Sequence, residues 1–146
     1  MKSLSVTPWL LAATALALPG IAVSQGGARS VWDGAYSQAQ ADRGAAAYAQ
    51  HCAACHGDAL GGSDSAPPLS GGTFLGNWEG QSAGALFTRI RTTMPLDNPG
   101  SLGGATVADI EAMILSSNGF PAGQADLPPD PSLSNGIAIT QAKPAR

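Results

Sequence analysis

The chain has 146 residues, 7 Lys and Arg against 10 Asp and Glu, a formal charge of −3, and 44% hydrophobic residues with only 5% aromatic. That length leaves room for one domain, and an acidic chain with no basic patch argues against nucleic acid as a partner. With 19 Gly and 11 Pro, an alanine-rich core is too thin to hold without a staple, a metal or a cofactor.

The N-terminus reads as an export signal. Lys2 is followed by the apolar stretch Trp9–Leu18, and Ala22-Val23-Ser24 places small residues before cleavage ahead of Gln25. The apolar stretch is shorter than the roughly 20 residues of a membrane span, and no later segment is a candidate for one, so no span is expected in the mature chain. Cleavage after residue 24 removes Lys2 and leaves 6 basic against 10 acidic residues, a charge of −4. Residues 25–36 read as an N-terminal arm. "SQAQADRGAAAYAQH", residues 37–51, is rich in helix formers with Ser37 as its cap. Gly44 and Tyr48 share one face of that helix. Glycine inside a helix costs about 1 kcal/mol relative to alanine, so Gly44 marks either a close approach of another element or simple tolerance.

Residues 57–72 are expected as a loop, and 73–81 as a continuation of irregular chain. Ser82 caps a helix through about Arg91, with Leu86 and Ile90 facing inward, and Met94-Pro95 ends it. After the loop "LDNPGSLGG", Thr106 opens the clearest helix. Val107, Ile110, Met113, Ile114 and Ser117 form its stripe, Asp109 stands as its capping acid, and Asn118-Gly119 is its stop. Residues 121–146 are proline-rich and without periodicity. No strand signal and no internal repeat are present. The expectation is an all-α domain over residues 37–120, with about three to four helices and long loops.

The chemistry is concentrated in "HCAACHG", residues 51–57, which holds both cysteines and both histidines of the chain. Cys52-Ala-Ala-Cys55-His56 fits C-x-x-C-H, the attachment signature of c-type haem. Two thiols add across the two haem vinyl groups, two intervening residues let one turn of backbone reach both, and the next residue supplies an axial nitrogen. A redox C-x-x-C needs a preceding strand. A zinc site wants four separated ligands, and a plain disulfide explains neither histidine.

The iron's other axial ligand has to come from elsewhere. His51 sits beside the attachment segment and does not reach the far haem face. Met113 lies in the apolar stripe of the last helix and reads as core. Met94 lies in "RTTMPLD", 38 residues after His56 (94 − 56), between a helix and a proline-stiffened loop. It is either a ligand or a gap-filler in the core.

Residues 38–120, with "GAAAY", "CAACHG", "APPL", "TTMP" and a terminal amphipathic helix in order, resemble a class I bacterial cytochrome c. The resemblance implies helices wrapped around one haem c, with the first and last helices crossing at Gly44 and Tyr48. It implies Met94 as the distal sulfur ligand, and Pro67 as the residue whose carbonyl accepts from Nδ1 of His56. Leu69 matches an apolar haem contact, and the resemblance offers Trp78, Arg89 and Arg91 as candidates for reaching the haem propionates. "VWDGAYSQAQADRG", "NWEG", "RIRTTMPLDNPGSL" and "ILSSNGFPAG" are similar to small cytochromes associated with pyrroloquinoline-quinone (PQQ)-dependent alcohol dehydrogenases. The function this implies is periplasmic electron transfer, not catalysis. A quinoprotein dehydrogenase is the expected donor, and a terminal oxidase or another cytochrome the expected acceptor. The alternatives are a haem enzyme or gas sensor with an open distal site, and a cytochrome subunit of a dehydrogenase complex.

Overall fold

A computed structural model describes residues 29–145. The expected signal segment, 1–24, lies outside the described residues. Helix α1 (Gln38–His51) begins where Ser37 turns the chain, and its hydroxyl accepts from the Gln40 N–H at 3.1 Å. A single-turn helix α2 (Ala53–His56) follows, then α3 (Gly71–Trp78), α4 (Ala83–Thr93), α5 (Gly104–Ser117) and a second single turn, α6 (Pro131–Ser134). Four longer helices and two single turns make the described residues an all-α fold. Among the described residues no helix is long and apolar enough to cross a membrane.

The crossing of α1 and α5 organises the core. A Cβ placed on Gly44 would lie 1.8 Å from the Asp109 carbonyl oxygen and 2.8 Å from the Met113 Cβ. The two backbones touch there because Gly44 has no side chain, so close approach accounts for this glycine. Beside the crossing, the Arg43 guanidinium bridges Asp109 of α5 at 3.0 Å and Asp126 at 2.8 Å.

Four details differ from the sequence expectation. Helix α5 starts at Gly104, two residues before Thr106, and its cap Gly103 offers no side chain. Asp109 serves Arg43 instead of the helix end, because an ion pair across two helices competes for the same carboxylate. Residues 71–78 are helical although they were expected to be irregular. Three glycines depress the local propensity, but Phe74 and Trp78, four apart, share a face and sit 6.2 Å apart between ring centroids.

The fourth difference is at the ends. A two-residue strand β1 (Arg29–Ser30) pairs in parallel with β2 (Ile137–Ala138), a pairing too short to leave an alternation signal. Residues 120–140 have no periodicity, yet Leu127, Ile137 and Ile139 are fully buried. Single contacts hold them. The Tyr36 hydroxyl donates to the Phe120 carbonyl, the Gln40 amide bonds the Leu127 backbone in both directions, and the Trp32 indole N–H donates to the Thr140 carbonyl at 2.8 Å.

Candidate haem site

The attachment segment is held from three sides. Helix α1 hands directly into α2, with the Cys55 and His56 N–H groups both donating to the Cys52 carbonyl. Gly57 then takes a φ of +77° and ends the turn. The Tyr48 hydroxyl donates to the Gly57 carbonyl at 2.6 Å, and burial, ahead of the nearby Cys52 and Asp58 charges, pushes its pKa up to about 12. Tyr48 is therefore a permanent donor that fixes the end of the C-x-x-C-H turn to the helix before it.

His56 is buried, and its Nδ1 lies 2.8 Å from the Pro67 carbonyl oxygen. A carbonyl only accepts, so this bond selects the Nδ1–H tautomer and leaves the Nε2 lone pair available to a metal. The 57–68 loop returns Pro67 to this position because Gly62 sits at φ +77°, with space for no side chain. A Cβ there would lie 2.6 Å from the Pro68 nitrogen and 2.8 Å from the Ala66 carbonyl oxygen. Farther along, the Asn118 side chain at the end of α5 donates to the Leu69 carbonyl and accepts from the Gly71 N–H. The last helix thus clamps the loop carrying Pro67 and Leu69.

These elements enclose a cavity of about 1020 Å³, at the upper end of the roughly 300–1,000 Å³ of small-molecule sites. Cys52, Cys55, His56, Pro67, Leu69 and Met94 all line it. Its apolar wall comes from Phe74 and Trp78 of α3, Leu86 and Ile90 of α4, and Ile110 and Ile114 of α5. Met94 is the C-terminal cap of α4, its N–H donating to the Ile90 carbonyl. Helix α4 is itself seated on α6, where a Cβ on Gly84 would lie 2.4 Å from the Pro131 carbonyl oxygen.

A flat apolar macrocycle fits these residues. The cavity is large and mostly hydrocarbon-walled, two thiols face it from one turn, and one imidazole and one thioether border it. The thiols do not suit a redox dithiol, which is activated by a lowered pKa. Burial first, and then Cys55, push the Cys52 thiol up to about 11. Nor is there a zinc cluster: among the described residues no three His, Cys, Asp or Glu side chains group as metal ligands.

Other candidates fall differently. Exposed His51 is at the cavity rim. Met113 stays off the cavity, half-buried at the α1–α5 crossing, with Ser117 beside its sulfur. Trp78 and Arg89 line the cavity. Arg91 does not, because its guanidinium donates to the Gly100 carbonyl. Sequence reasoning overlooked Tyr48 as an anchor, Gly62 and the Asn118 clamp. Only the four-residue spacing of Phe74 and Trp78 carried a usable signal for the α3 wall.

A family model described as Cytochrome C oxidase, cbb3-type, subunit III matches residues 39–114, just over half of the chain. No curated protein and no solved structure matches.

Proposed function

Because the chain belongs to the family of cytochrome c oxidase, cbb3-type, subunit III, we propose that it is a single-haem electron carrier with His56 and Met94 as axial ligands. Haem c is bound covalently through Cys52 and Cys55, and it supplies reversible one-electron exchange between ferric and ferrous iron. His56 would hold the iron through Nε2, with the Pro67 carbonyl fixing the ring and raising its basicity. The Met94 thioether favours ferrous iron and so raises the potential. Leu69, Leu86 and Ile90 exclude water, which disfavours the more highly charged ferric state. With His56 and Met94 both holding the iron, no substrate would reach it.

The observation carrying this reading is that Cys52, Cys55, His56 and Met94 line one apolar cavity while Nδ1 of His56 is already committed to Pro67. The partners are redox proteins. A PQQ-dependent dehydrogenase as donor follows from the likeness of the sequence stretches around Trp78 and Met94. A terminal oxidase or another cytochrome is the acceptor, and the export signal makes the periplasm the location.

The test is spectroscopic. The ferric protein should show the weak sulfur-to-iron charge-transfer band near the red edge of the visible. Met94→Ala should abolish it, open the sixth position to added ligands and lower the potential. Met113→Ala should keep the band and cost only stability, about 1–2 kcal/mol for a half-buried methionine. Rapid carbon monoxide binding by ferrous wild type, with a Met94→Ala spectrum identical to wild type, would instead establish an open-site enzyme or sensor.

A further inference from the structure

Glu111, in the middle of α5, is 0% exposed, and among the described residues neither of its carboxylate oxygens has a hydrogen-bond partner. One turn to either side, Val107 and Leu115 are equally buried. Seven residues earlier on the same face, a Cβ on Gly104 would lie 2.8 Å from the Pro129 carbonyl oxygen and 3.8 Å from the Phe87 ring. This stripe of α5 therefore faces α4 and the C-terminal segment. Ile110 and Ile114, on the adjoining stripe, line the haem cavity. Glu111 and the cavity-lining Ile110 and Ile114 therefore lie on adjoining faces of one helix, whose diameter with side chains is about 10 Å.

Among the described residues no charge compensates Glu111. On α1, Arg43 is at the surface with Asp109 and Asp126, and the Tyr48 hydroxyl is spent on the Gly57 carbonyl. On α4, Arg89 is exposed and Arg91 bonds the Gly100 carbonyl. Along the C-terminal segment, Asp126 and Asp130 are exposed, and Asp130 caps α6. Burial pushes the Glu111 carboxyl well above the usual carboxylate range.

We propose that Glu111 is a redox-linked proton site: its carboxyl binds one proton from solvent as the haem iron gains one electron from the donor protein, and returns that proton as the electron leaves. Oxidation adds a positive charge to the interior, and a carboxylate at Glu111 offsets it from a fully buried position, whereas Asp97, which lines the cavity, is exposed to solvent. Between buried groups this interaction is screened much less than it would be at the surface. One electron and one proton enter together, so the net charge of the interior stays constant. The inference rests on the haem c of the proposed carrier but not on Met94 as its ligand.

The test is the reduction potential of the intact holoprotein as a function of pH. Wild type should show a window in which the potential falls by about 59 mV for each tenfold drop in proton concentration. Glu111→Gln, a neutral residue of the same shape, should be flat through that window. Superimposable curves for the two proteins would overturn the proposal. Should the glutamine variant fail to fold, redox-difference infrared spectra of wild type labelled with ¹³C-glutamate decide the matter. The chain has only two glutamates, Glu79 and Glu111, and Glu79 is exposed. A label-sensitive carboxylic C=O band that grows on reduction supports the site, and its absence refutes it. The charge-transfer band of the Met94→Ala experiment reports ligation separately, so failure of one reading leaves the other standing.

Discussion

Gly44 shows how a single atom sets the architecture. Substituting alanine gains about 1 kcal/mol of helix propensity, but it puts a methyl group 1.8 Å from the Asp109 carbonyl oxygen. The obstacle is backbone, which no rotamer change relieves, so α1 and α5 must move apart. Overpacking of this kind costs about 1–3 kcal/mol, occasionally more. Gly44→Ala should therefore lower the denaturant midpoint of the holoprotein despite the better helix former. A variant more stable than wild type would mean that the two helices do not meet there. Met113, whose Cβ borders the same spot, shares this role; its place is structural although its chemistry resembles that of Met94.

Among the elements, the loop from Gly57 to Leu69 does most to prepare the proximal ligand. It has no regular structure, yet it delivers the Pro67 carbonyl to Nδ1 of His56 and is clamped by Asn118 from α5. Gly62 is its hinge. Gly62→Ala forces a side chain into φ +77° and into the Pro68 nitrogen, which displaces the Pro67 carbonyl. His56 then loses the acceptor that raises its basicity. A weaker imidazole donor stabilises ferric iron less, so a redox titration should find the potential moved upward while the haem stays covalently attached. An unchanged potential would mean that the Pro67 bond does not tune the iron.

At the scale of the whole molecule, the segment after Phe120 belongs to the core. Leu127, Ile137 and Ile139 are fully buried, and β2 pairs with β1 near the other end of the described chain. Three such side chains contribute about 1.5–3 kcal/mol each, together comparable to the 5–15 kcal/mol of a typical domain. Ending the chain after Pro121 should abolish cooperative unfolding, as followed by circular dichroism against denaturant. A truncated protein that unfolds like wild type would reduce this segment to an appendage.

The cofactor was legible in six consecutive residues, since thiols and imidazole at C-x-x-C-H spacing serve a chemistry that depends on local geometry alone. Helices α1, α4 and α5 were legible for the same reason: caps such as Ser37 and Ser82, the break at Met94-Pro95 and the stripe from Val107 to Ile114 are short-range signals. Other features were settled at long range. Asp109 looks like a capping acid until Arg43 arrives from another helix. Residues 71–78 look irregular until Phe74 and Trp78 find a wall to cover. Leu127, Ile137 and Ile139 look like scattered apolar residues until Gln40 and Trp32 bind their surroundings. Glu111 has the apolar neighbours Val107, Ile114 and Leu115, but its full burial depends on what the rest of the chain stacks over α5, and the stripe facing α4 and the C-terminal segment is set only when those elements close.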